Sequence, residues 1–419
     1  MMSAHSAVRS RRPLIALLAA HGISLTGNAM TLLSVPWFVL QATGSPVQTG
    51  LAATATFLPI LLSTSLGGVL IDRIGYRRAG IACDLISGAM IALIPLLHLL
   101  DLLPLPVLLA LVFLSALFDA PSSTARLALL PTLAEHAGTT IERASSAMGV
   151  VERVSRMIGA PIAGGLLVLI GPANVLLVDA GTFVASALIL ALSVVPGRGG
   201  RAAADTSFGR GLKAGFAHVW NDRLLLAITL LIAVTNVLDV AYVGVVLPVY
   251  GDQVLSGVSA VGLVIGTSAV AAVIGGLVFG AVLFRLPRRA LVTVAFMLVG
   301  LPRCLILALE PGLLWVLVTA AATGFFAGML NPILNTVQYK RVPEEIRARA
   351  LGAMFAATYA VAPLGPLVGG ALIASQGLTV TLLLFAGVYA MAALSLLLPL
   401  RVWQGFDESA DQPREKATV

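Results

Sequence analysis

The chain runs to 419 residues, 58% of them hydrophobic and 11% charged, with a mean hydropathy of +1.00. Such a composition excludes a water-soluble globular protein and makes the lipid bilayer the expected solvent. The net charge of +7 would elsewhere suggest a nucleic-acid partner, but the basic residues lie between apolar runs, so a membrane surface is expected and nucleic acid is not.

Many of the apolar runs reach the ~20 residues that cross a bilayer as a helix. They are continuous rather than alternating, so helices and not barrel strands are expected to satisfy the backbone in lipid. Arg9, Arg11 and Arg12 precede the first run, which is too long for a signal-peptide core and lacks a convincing cleavage site; it reads as a first membrane helix. In chain order the expected spans are 13–40, 48–71, 79–100, 104–130, 143–170 and 174–195, then 223–250, 256–284, 289–309, 313–338, 346–375 and 378–401, with ends placed to about 2–4 residues. The expected fold is an all-α membrane protein of twelve transmembrane helices. A six-helix bundle covers 1–195, a cytoplasmic linker 196–222, a second six-helix bundle 223–401 and a cytoplasmic tail 402–419. The linker holds Gly197-Arg198-Gly199-Gly200-Arg201 and then an amphipathic patch through Trp220, the pattern of a flexible tether leading to a short interfacial helix.

The two halves repeat. Pro36, Gln41, Gly50, Leu51, Gly68 and Arg73 align with Pro248, Gln253, Gly262, Leu263, Gly280 and Arg285 at an offset of 212, and Pro161, Gly164 and Gly165 align with Pro366, Gly369 and Gly370 at 205. Phe284 replaces Asp72 in the second copy. Lys and Arg fall on one side of the expected spans, while the opposite loops carry none and hold Asp101, Asp252 and Glu310. The bias places both termini in the cytoplasm and the chain in the cell membrane as a multi-pass protein. Cys83 and Cys304 lie in or beside apolar runs and read as buried thiols.

Between spans two and three an apolar run ends in Gly67-Gly68, and Asp72, Arg73, Gly75, Tyr76, Arg77 and Arg78 follow. The cluster resembles the loop between helices 2 and 3 of the major facilitator superfamily, roughly G-x-x-x-D-R-x-G-R-R/K, with Tyr76 where a basic residue is common. In span five, Gly159-Ala160-Pro161-Ile162-Ala163-Gly164-Gly165 resembles the antiporter motif of that superfamily, with Ala160 where glycine is usual; small-residue packing is the plainer reading. Thr43-Gly44-Ser45-Pro46, Phe118-Asp119-Ala120-Pro121, Ala125-Arg126, Gln338 and Val342-Pro343-Glu344-Glu345-Ile346-Arg347 resemble the drug-efflux branch that includes macrolide and enterobactin exporters. The resemblance implies that Asp72 meets the N-terminal end of helix 11 when the cytoplasmic side closes, with Arg73, Arg77 and Arg126 as candidates to join the latch.

Ionisable residues inside a span cost about 2.5–3.5 kcal/mol each near mid-bilayer and need a reason. Asp239, with Asn236 about one turn earlier, is the first candidate for a proton-coupling acid; a hydrogen-bonded structural acid is the alternative. Glu152 and Arg156, four apart, form either a plain internal ion pair or a pair that separates when Glu152 takes a proton. Asp119 and Arg126, seven apart on one face, suit a gate, and Asp119 is a third proton candidate. Arg303 is expected to pair with an acid or to snorkel, Asp179 to be structural, and His21 to titrate or simply to pack. Asn28 stands where several of the resembled proteins carry an acid. Asn28, Arg156, Asn236, Tyr242, Asn331, Asn335 and Gln338 are the candidates to line a mostly apolar substrate cavity.

No Gly-Lys-Ser/Thr exists, and nothing resembles a metal site or a catalytic triad, so no enzyme, cofactor or metal is expected and energy should come from an ion gradient. The expected function is secondary active transport: proton-coupled efflux of drugs or similar amphipathic small molecules, by a monomer. Siderophore or natural-product export and lysophospholipid movement are the alternatives, and a transport-inactive sensor is the reading from another class.

Overall fold

The computed structural model describes residues 10–59, 74–193, 208–255, 257–281, 288–397 and 403. Among them every regular element is a helix. In order these are α1 Arg12–Thr43, α2 Pro46–Phe57, α3 Tyr76–Leu99, α4 Leu105–His136, α5 Ile141–Ser193, α6 Phe208–Asn221 and α7 Arg223–Ala241. A π-helical turn, Tyr242–Val246, leads to α8 Leu247–Gln253, then α9 Val258–Ala281, α10 Arg288–Leu309 and α11 Leu313–Arg341. A 3-10 turn, Glu344–Ile346, precedes α12 Arg347–Ala360, α13 Leu364–Gln376 and α14 Leu378–Ser395. Ten helical stretches among the described residues are long and apolar enough to cross a membrane. One of them, Ile141–Leu192, turns at Gly171, where the expected fifth and sixth spans meet. The expected second span starts as α2 and runs on into residues outside the described set.

The π turn follows from Pro248. A proline lacks the N–H and its ring crowds the carbonyl four residues earlier, so widening the preceding turn relieves the clash.

The chain divides into two compact units, residues 1–38 with 55–204, and residues 39–54 with 205–419. In the first, α3 packs on α4 and α5. Ser87 and Ser115 hold α3 to α4 reciprocally, each hydroxyl donating to the other's carbonyl at 2.9 and 3.2 Å. Leu14, Leu17, Leu129, Leu133, Met148 and Leu190 fill a core between α1, α4 and α5. In the second, α10 packs on α11 and α14, and α9 on α11.

The α9–α11 contact is made by backbone meeting backbone. A Cβ added at Gly275 would run into the Phe325 carbonyl, one at Gly324 into the Ser268 carbonyl, and one at Gly328 into the Ala272 carbonyl. Gly324 and Gly328 are four apart, so they open one groove on α11 for α9 to enter. Gly328→Leu is expected to weaken the second unit by about 1–3 kcal/mol, because overpacking forces helices apart. Gly165→Leu, at a site where an added Cβ meets nothing within 4 Å, is the control. Thermal unfolding in detergent separates them; equal midpoints would sink the close-packing account.

The internal repeat reappears as repeated contacts. Arg77, at the start of α3, donates from Nε to the Leu190 carbonyl at 3.1 Å and from Nη2 to the Ala191 carbonyl, at the end of α5. Arg289, at the start of α10, donates to the Leu396 carbonyl at 2.9 and 2.7 Å, just past α14. Arg77 and Arg289 are 212 residues apart, Ala191 and Leu396 are 205, the same offsets that relate the halves in sequence. A guanidinium on the free carbonyls of a helix C-terminus satisfies groups that the helix leaves open. The turns repeat too: Gly171 and Gly377 have φ of 77° and 82°, a region glycine reaches without strain.

Candidate functional site

Of the basic loop after α2, Gly68, Asp72 and Arg73 lie outside the described residues, as do Phe284 and Arg285 of its second copy. Gly75 precedes α3 with φ 81°, and Arg78 is exposed. Arg77 is engaged by the α5 carbonyls, so it braces its own bundle.

Among the described residues of the first unit, the densest charge cluster is one that sequence spacing did not reveal. Arg126 on α4 is fully buried, and so is Asp84 on α3. Arg126 Nη1 donates to the two Asp84 carboxylate oxygens at 2.9 and 3.0 Å and to Ser122 and Ser186 Oγ, each at 3.1 Å; Nη2 donates to Ser24 Oγ at 3.1 Å. Ser122 and Ser186 donate onward to Asp84 at 2.6 and 2.7 Å. Buried charges persist only when paired and hydrogen-bonded, and this pair has both. Asp119 sits at the edge, one oxygen 3.9 Å from Arg126 Nη2 and the other accepting from Asn28 Nδ2 at 2.8 Å. Arg126 thus stands between two carboxylates. The expected Asp119–Arg126 proximity is present, but the closer partner is Asp84. An acid inside an apolar run was the one available signal for it.

Glu152 was expected to pair along its own helix with Arg156. The partner described for it is His21 on α1, with Nε2 3.3 Å from Glu152 Oε1. Nothing is described of the Arg156 side chain. His21 is therefore part of a cross-helix contact as well as a packing residue. Asp179 is fully buried and accepts from Thr31 and Thr182.

The small-residue run on α5 works by close approach. A Cβ at Gly159 would lie 2.6 Å from Ala29 Cβ on α1. Gly164 is buried, Pro161 is half-buried, and Gly165 is exposed. Its second copy on α13 is tighter: Gly365 abuts the Val237 carbonyl of α7 and Gly370 the Pro46 carbonyl, where residues 39–54 pack within the second unit.

In that unit, Asp239 on α7 accepts from the Arg303 guanidinium of α10 and from the Tyr389 hydroxyl of α14. Arg303 also donates to Tyr389 at 2.6 Å and lies over the Tyr242 ring, 4.5 Å from its centroid. The Asp239 side chain is 41% exposed whereas Arg303 is 14% exposed, so the acid is the open member of the pair. Of the two readings the sequence left open for Arg303, pairing with an acid or snorkelling, the first is the one seen; the Tyr389 contribution it missed. Asn236 is half-buried one turn away, and on α11 Asn331 and Asn335 are exposed while Gln338 is buried.

Between α6 and α7, Asp222 caps α7, accepting from the Leu224 and Leu225 N–H groups at 3.0 and 3.2 Å, and pairs with Arg341 Nε at 2.7 Å. Burial works against its charge, but the Arg341 and backbone hydrogen bonds outweigh it and hold the carboxyl below its ordinary value of 3.8. Asp222→Ala is expected to cost about 1 kcal/mol near neutral pH. Because the folded value is depressed, that contribution is full above 3.8 and is lost as pH falls through the folded value, so parent and variant should converge in acid. Unfolding midpoints across a pH series check this; a constant difference down to the most acid point would contradict it.

Repeated small-residue runs, a repeated arginine clamp and charged residues held within long apolar helices define a multi-pass membrane transporter built from two like halves. The chain belongs to the Major Facilitator Superfamily, whose sequence model matches residues 17–259 and again 229–417. It is 30% identical to the multidrug efflux pump Tap of Mycolicibacterium fortuitum over 378 residues, covering 89% of this chain and 92% of that one. The Mycobacterium tuberculosis Tap is 30% identical over 388 residues, 90% and 91% of the two chains. Among solved structures the fold is similar to the nucleoside transporter NupG, with a TM-score of 0.76 at 13% identity over 92% of this chain and 98% of that one. It is also similar to a D-xylose-proton symporter, with a TM-score of 0.71 at 14% identity over 94% and 98%.

Proposed function

We propose that the chain exports drugs or comparable amphipathic small molecules from the cell by alternating access, driven by protons moving inward. The observation that carries this reading is its near-full-length likeness to multidrug efflux pumps. Its place is the cell membrane with both termini in the cytoplasm, a reading supported by the one-sided distribution of Lys and Arg. It acts as a monomer, each half contributing one bundle.

Asp239 is the coupling acid in this reading. Ionised, it holds Arg303; taking a proton, it gives up the charge half of that bond, and Arg303 keeps the Tyr389 hydroxyl and the Tyr242 ring. Glu152 with His21, and Asp119 between Asn28 and Arg126, are the further sites where a proton would change an interhelical contact. Asn236, Tyr242, Asn331, Asn335, Gln338, Asn28 and Arg156 remain the candidates for substrate contact.

The test is substrate-dependent proton movement in vesicles holding the purified protein, combined with a susceptibility profile of cells with and without it. Protons should flow on adding drug-like cations, and the producing cells should tolerate several unrelated compounds. A response confined to a siderophore or to a lysophospholipid would replace this reading with one of those two substrates, and none to any would leave a sensor.

A further inference from the structure

We propose that α6 is a lipid-surface anchor: Phe216 and Trp220 insert at the headgroup boundary of the leaflet where α7 begins, and the opposite face of the helix holds the start of α12 at that depth. The helix has two unlike faces. Gly215 and Val219 are buried against α12, where a Cβ on Gly215 would strike the Arg349 carbonyl and Val219 joins a core with Leu224, Ala350 and Met354. Phe216 and Trp220, four apart and so on one stripe, are 41% and 74% exposed. Two large aromatics facing outward on a helix that already has a packed side are not explained by the core.

Their position says what covers them. A single residue, Asp222, separates α6 from the membrane-crossing stretch Arg223–Gln253, so the aromatic stripe is continuous with the bilayer surface. Asp222 is bound to Arg341, which puts the end of α11 at the same level, and Tyr339 there is exposed as well. Arg223 adds positive charge just beyond the end of the helix. Aromatic rings with basic neighbours at a helix end match the boundary between acyl chains and anionic headgroups. The partner is therefore a glycerophospholipid surface. The consequence is mechanical: at Gly215 the backbone of α6 meets the backbone of the first turn of α12 with no side chain between them, so the lipid surface sets where that turn sits.

The test uses the full chain with Trp220 as its single tryptophan (Trp37, Trp315 and Trp403→Phe), in vesicles of phosphatidylethanolamine and phosphatidylglycerol. Nitroxide-labelled lipid should quench Trp220 emission about twofold more strongly when the label sits near the headgroup than when it sits deep in the acyl chain, with weak quenching by aqueous iodide. Strong iodide quenching without a nitroxide effect overturns the proposal. So does protection that vanishes as protein is diluted in lipid, which would assign the stripe to a second copy. Should the triple substitution not fold, Phe216→Ser/Trp220→Ser in the natural background should raise backbone hydrogen exchange over 347–354 by about threefold in vesicles while 313–338 stays unchanged; no change there overturns it equally.

Discussion

Arg126→Met is expected to cost about 3–5 kcal/mol, enough to bring the detergent-solubilised protein close to unfolding. The loss comes less from the arginine's own contacts than from what is left behind. Asp84 is fully buried, and both of its oxygens face the guanidinium. Without it, the carboxylate keeps only the Ser122 and Ser186 hydroxyls, and a lone charge in apolar surroundings is far more expensive than a missing bond. Neutralising the acid as well should therefore repair part of the damage: Arg126→Met with Asp84→Asn should unfold later than Arg126→Met alone. Thermal unfolding followed by size-exclusion recovery gives both numbers. A single variant as stable as the parent would contradict the buried-pair account.

Asp239→Asn is expected to abolish uphill export while leaving exchange of substrate across the membrane within about twofold of the parent. The asparagine oxygen still accepts from Arg303 and Tyr389, so the α7–α10–α14 contact survives. What it lacks is a proton to gain and lose. One charge crossing ~100 mV supplies ~2.3 kcal/mol, and at ~1.4 kcal/mol per tenfold that sustains roughly a fortyfold gradient. The variant's steady-state ratio should fall toward about one. Accumulation under an imposed pH gradient, measured beside counterflow, separates coupling from folding. Full accumulation by the variant would move the coupling role to Glu152 or Asp119.

Helices and turns were legible because they are local. Continuous apolar runs mark the spans, and the turn at Gly171 falls in the gap expected between 170 and 174. Same-helix neighbours were also readable: Asp119 and Arg126 share a face because seven residues make two turns. Partners on different helices were not. Asp84 and Arg126 are 42 residues apart, Asp239 and Arg303 are 64, and His21 and Glu152 are 131. Which faces meet depends on helix rotation and on how closely backbones approach, and those are set by glycines such as Gly159 and Gly328 whose effect is invisible until a neighbour is in place. Asp84 still carried one usable sign, an acid in the middle of an apolar run. Tyr389 carried less, since a tyrosine in a span serves equally well as a membrane-facing ring.

The paired clamps of Arg77 and Arg289 bear on what the two halves share and where they differ. Both halves carry the fastening that ties the start of their third expected span to the end of their sixth, whereas only the first half has an aspartate in the adjoining loop, the second having phenylalanine at position 284. Mechanical integrity is a demand each copy meets for itself.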